Sequence, residues 1–163
     1  MRCMLSAKTM PESQGLRSKQ RLIDELGLHV GRYFPGGAIQ HEALWIDAVF
    51  ANLRSAVTQG DPNAIEMAVQ VIDQDPMWLP FGKLIKSDLA RALRKNACQI
   101  GPVHRARIIA ASVRLLKEAY LPRELEDYVK LIKKFPKAEY SGLVASVNPL
   151  CDKARTMQEY LLS

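Results

Sequence analysis

The chain has 163 residues, 48% hydrophobic and 25% charged, values ordinary for one globular domain that needs no staple to fold. Its net charge of +6 is local: residues 81–137 hold 14 Lys/Arg against 5 Asp/Glu, while both flanks are slightly acidic. No apolar run approaches the roughly 20 residues of a membrane span, and Cys3, Cys98 and Cys151 form neither a CxxC pair nor a Cys–His set with zinc spacing.

Residues 1–15 lack periodicity and contain Pro11, Ser13 and Gly15, so they are expected as a mobile arm before a single helical domain, 16–163. The arm has no apolar h-region, so a cytoplasmic protein with reduced thiols is the expectation, with Cys98 and Cys151 partly buried. A first helix is expected from Leu16, on the spacing of Leu22, Ile23 and Leu26; the stretch 28–34 could continue it or run extended.

A second helix, about 39–59, places Leu44, Trp45, Ala48, Val49, Leu53, Ala56 and Val57 on one face, with Gly60 where a C-terminal cap belongs. Asp61-Pro62 opens a third: Asp accepts a free first-turn N–H, and Pro is tolerated at N1 because its missing N–H had no partner there. The same reading applies to the X-Pro steps at Pro76, Pro102, Pro122 and Pro149, with helices over about 81–97, 102–119 and 122–135, then one or two from 138 to 162 broken near Asn148. The fold class is therefore all-α: six to eight antiparallel helices, in a bundle or a short HEAT- or armadillo-like stack of hairpins.

The fourth helix would bury Ile85, Leu89, Ala92 and Leu93 and turn Lys83, Lys86, Arg91, Arg94 and Lys95 outward. The fifth would bury Ala106, Ile109, Val113, Leu116 and Tyr120 and expose Arg107 and Arg114; the sixth would bury Leu125, Tyr128, Ile132 and Phe135 and expose Lys130, Lys133 and Lys134. Those ten basic residues are the candidate polyanion surface. A solvated outer face is the simpler reading, because Glu126 and Lys130 answer each other at i, i+4 and no exposed aromatic is interleaved for base stacking.

Met77, Trp78 and Phe81, between Pro76 and Pro80 and just beyond, are either a core anchor or a candidate partner-binding patch. Asn96 falls near the apolar side of the fourth helix, where it could cap a neighbour. His29, His41 and His104 are mutually distant, Cys98 lacks a base, and FPGGA (34–38) lacks the Lys-Ser/Thr of a P-loop. No catalytic, metal or cofactor set is assembled, and no cofactor is expected. The leading reading is a non-enzymatic protein-interaction or adaptor module that binds a protein partner or itself and no membrane. The alternative is a nucleic-acid-binding protein using the basic section; a third is an enzyme with a dispersed site.

Overall fold

The structure is a computed structural model that describes residues 12–163. It has eight α-helices among the described residues: α1 (Glu12–Leu26), α2 (Glu42–Thr58), α3 (Pro62–Gln74), α4 (Gly82–Lys95), α5 (Pro102–Leu116), α6 (Leu125–Ile132), α7 (Lys137–Ala145) and α8 (Asp152–Leu162). The stretch Leu28–Tyr33 is a 3-10 turn, neither continuous helix nor extended chain. Helix α1 starts at Glu12, so the last residues of the expected arm are helical. The rest of that arm, with Cys3, lies outside the described residues.

Helices two apart in the chain lie side by side. Helices α2, α4, α6 and α8 follow one another in one layer, and α1, α3, α5 and α7 in the other, with α2 on α3, α3 on α4, α5 on α6 and α7 on α8 joining the layers. This is the stacked-hairpin form of the all-α expectation. The core runs unbroken between the layers. Helix α3 is buried nearly all round, through Ala64, Ile65, Met67, Ala68, Val69, Val71 and Ile72, because it touches α1, α2, α4 and α5.

The expected caps are in place where the local chemistry was complete. Asp61 accepts the Asn63 N–H at 3.0 Å with Pro62 at the helix start, and Pro102 likewise starts α5, behind Gly101 and without a side-chain cap. Gly60 has φ +79°, the left-handed conformation that favours glycine, and a Cβ there would only displace the tip of the exposed Gln99 side chain. Asn96 donates from Nδ2 to Val57 O (2.7 Å) and Thr58 O (3.0 Å), closing the carbonyl end of α2 from the end of α4. Pro76, Pro122 and Pro149 do not start helices; each sits in a connection, with the next helix opening at Gly82, Leu125 and Asp152.

The C-terminal hairpin is tied on by charge. Arg105 donates to both Glu139 oxygens at 2.7 Å and to Ile100 O at 2.7 Å, linking α5 to α7. The hydrogen bonds from Arg105 hold the Glu139 carboxyl below its ordinary range, so this tie is intact above that range and is lost as pH falls through the lowered value. Glu139→Gln is expected to speed amide exchange in α7 at neutral pH, and the difference from the parent should vanish in acid. A difference that persists in acid would mean that the ion pair is not what holds α7.

Candidate functional site

The residues most out of keeping with a plain helical stack meet at the α3–α4 corner. Helix α3 ends on Asp75, a non-glycine residue in the left-handed region (φ 49°), whose N–H closes the helix on Val71 O at 3.0 Å. Six residues later Phe81 is left-handed as well (φ 56°) and accepts the Leu84 and Ile85 N–H groups at 3.0 Å, opening α4. Such conformations cost about 1–3 kcal/mol each without glycine and persist only where the surroundings dictate them.

Between these two residues the corner is pinned by two of its side chains. Leu79 is buried, and the Trp78 indole N–H donates to Glu25 Oε2 at 2.6 Å while its ring stacks under the Arg21 guanidinium, 4.1 Å from the ring centre. Trp78 is therefore a structural anchor on α1, the first of the two alternatives for this corner. Met77 (86% exposed) and Phe81 (55%) are left facing outward. Leu84 and Tyr120 join them. Tyr120 is 94% exposed, where the periodicity put it on the buried stripe of the fifth helix; α5 ends at Leu116, so the stripe does not reach it.

These four side chains rim a cleft of about 770 Å³ between the α3–α4 corner and the α5–α6 connection. Ten large apolar side chains are exposed among the described residues, and four of them share this one opening, which makes it a patch and not scatter.

Inside the cleft lies a buried ion cluster. Lys86, only 3% exposed, sets its Nζ 2.5 Å from Asp75 Oδ1 and 3.7 Å from Glu124 Oε1. Lys86 thus cannot belong to an outer basic face. An amphipathic wheel assumes one buried side, but α4 has α2 and α6 on its flanks and α3 beneath, so the residue after Ile85 is enclosed too. The cluster holds two carboxylates to one ammonium. Glu124 Oε2 is buried with no hydrogen-bond partner, and so is the Tyr128 hydroxyl close by. Burial first, then the charges of Glu124, Asp75 and Asp127, push the Tyr128 phenol far above its ordinary range.

The remaining basic residues are mostly answered internally. Arg91 pairs with Asp127 (3.2 Å) and Asp88 (3.5 Å), Arg107 with Asp73 (2.9 Å) and Gln70, and Lys130 with Glu126 (3.5 Å). Arg114 donates to Asp73 O at 3.0 Å. Lys133 closes the end of α8, donating to Tyr160 O (2.7 Å) and Ser163 O (3.2 Å), where a cation also suits the helix dipole. Only Lys83, Arg94, Lys95 and Lys134 of the ten have no such partner among the described residues.

An ammonium held between two carboxylates is no nucleophile, and the cleft is lined by neither histidine nor cysteine. His41 serves as the α2 cap, its Nδ1 accepting the Leu44 N–H at 3.5 Å, and Cys98 is exposed, against the expectation of partial burial. No group of three or more potential metal-ligating side chains occurs among the described residues, and none of their helices is long and apolar enough to cross a membrane. No protein-family model matches this chain, and no curated protein or solved structure is significantly similar to it.

Proposed function

We propose that this chain is a non-enzymatic helical interaction module that docks a segment of a protein partner in the cleft between the α3–α4 corner and the α5–α6 connection. The observation that carries this reading is the convergence of Met77, Phe81, Leu84 and Tyr120 on one opening, next to a corner that keeps two left-handed non-glycine residues. Met and aromatic side chains are enriched at interface cores, and a fixed corner presents them with little ordering cost on binding. The polyanion alternative rests on six cations of residues 83–137 without an internal partner among the described residues, Lys83, Arg94, Lys95, Lys117, Arg123 and Lys134, spread over α4 and the two connections flanking α6.

Met77 is a convenient reporter, because the other described methionines, Met67 and Met157, are buried. Blocked tetrapeptides with two apolar residues, titrated against 13C-methyl-methionine protein, are expected to shift the Met77 methyl saturably. Phe81→Ser with Tyr120→Ser, both at exposed positions, should weaken this at least ~10-fold, as expected when anchors of an interface core are removed. Absence of any saturable Met77 shift, together with salt-dependent RNA or DNA binding lost in Arg94→Glu/Lys95→Glu, would transfer the function to the basic residues.

A further inference from the structure

The docking cleft has a polar interior that its apolar rim does not explain. Asp75, Lys86 and Glu124 all line it, and all are far less exposed than the rim. Lys86 bonds Asp75 at 2.5 Å but stands 3.7 Å from Glu124, beyond hydrogen-bond length, so its charge is committed mainly to the aspartate. Glu124 is 4% exposed in its side chain, and its Oε2 has no donor. A buried carboxylate oxygen left in this state costs free energy that a second cation with an N–H would recover. Among all the lining side chains three are acidic (Asp75, Glu118, Glu124) and two basic (Lys83, Lys86), so the cleft carries one excess negative charge inside a chain of net charge +6.

Resting on the docking reading above, we propose that the partner segment presents a lysine or arginine side chain between apolar residues, its charged head pairing with the Glu124 carboxylate, whose Oε2, closed off in the free chain, turns toward the cleft to accept the bond. The apolar neighbours and the aliphatic stem would lie against Met77, Phe81, Leu84 and Tyr120, and the two exposed rings offer faces to a cation on its way in. Glu124 would then set specificity: a neutral side chain of equal length can fill the apolar rim but leaves Oε2 unanswered, and an acidic one adds like charge to it.

Three blocked peptides, acetyl-Leu-X-Leu-Phe-amide with X as arginine, norleucine or glutamate, test this on the unaltered protein by the Met77 methyl shift. The arginine peptide is expected to bind at least ~10-fold more tightly than the norleucine peptide and the glutamate peptide more weakly still, the range found when one partner of a buried charge pair is missing. Glu124→Gln should bring the arginine and norleucine peptides to within about two-fold of each other, because an amide offers a competing donor and no charge. Equal affinity of arginine and norleucine peptides for the unaltered protein would overturn the cationic partner while leaving the docking cleft standing. No saturable shift with any of the three would remove both. The comparison between peptides needs no variant, so a folding defect in Glu124→Gln cannot mask the answer.

Discussion

Lys86→Met is expected to destabilise the fold by about 3–5 kcal/mol, the usual result of removing one member of a buried ion cluster and leaving its partners behind. Methionine matches the length of the lysine stem, so packing between α2, α3 and α6 changes little and the loss reports charge. Asp75 and Glu124 would then face each other's charge without the ammonium that now lies 2.5 Å and 3.7 Å from them. In a chain of this size each kcal/mol moves the midpoint by about 2–4 °C, so a drop of about 10 °C in a thermal melt is the corresponding reading. The compensated variant Lys86→Met/Asp75→Asn/Glu124→Leu should recover most of it or exceed the parent, since replacing a whole buried ion cluster by neutral groups is often neutral or stabilising. Asparagine keeps the left-handed conformation that residue 75 needs. A loss under about 1 kcal/mol in the single variant, the value of an exposed pair, would mean that water reaches the cluster freely.

The parts of the fold that were legible in sequence are those whose signal is local. Gly60-Asp61-Pro62 carries a stop, a cap and a start in three consecutive residues, and the structure uses each one. The stripe Leu125, Tyr128, Ile132 and Phe135 is buried as its spacing demands, and Asn96 caps a neighbouring helix. The pairing within the basic section was not legible, because its answers are distant in sequence. Arg107 meets Asp73 34 positions away, Arg91 meets Asp127 36 away, and Arg114 reaches Asp73 O across 41. A local count of charge sees the cations and misses these partners.

The cleft was half legible. Met77 and Phe81 stood out as apolar residues at a proline corner, but nothing local separates them from Trp78, whose fate depends on Glu25 and Arg21 in α1. Tyr120 was assigned to a buried stripe because no glycine or proline intervenes between the end of α5 at Leu116 and Leu121-Pro122, so the periodicity projects too far. Asp75 was read as opening a helix, whereas it closes one, since Asp before Pro fits either role until the backbone sign is known. Lys86 and Glu124, the innermost residues of the cleft, could be found only from the packing of α4 between two flanking helices.

Alkaline pH is expected to unfold this protein by way of its buried phenols, Tyr128 above all. The Tyr128 hydroxyl has no partner and no exposure, and burial followed by the nearby carboxylates keeps its proton on in the folded state. Tyr33 and Tyr140 are raised as well, in each case first by burial. For a group whose folded pKa lies above the unfolded one, the stabilising contribution is complete below the unfolded value near 10 and is lost as pH climbs past it. Stability should therefore be level with respect to these groups up to about pH 10 and then fall, each raised phenol contributing about 1.4 kcal/mol per pH unit until its own folded value is reached. Tyr128→Phe should flatten that descent by one such share, read from urea midpoints at pH 9, 10, 11 and 12. At pH 7 the same variant removes a buried hydroxyl that makes no hydrogen bond, so stability should be unchanged or higher by about 1 kcal/mol. A loss at pH 7 instead would show that the hydroxyl is engaged, and its neighbour is Glu124, whose Oε2 is the acceptor reserved above for a partner's cation. Tyr128→Phe at neutral pH thus measures, without any ligand, whether that acceptor is free.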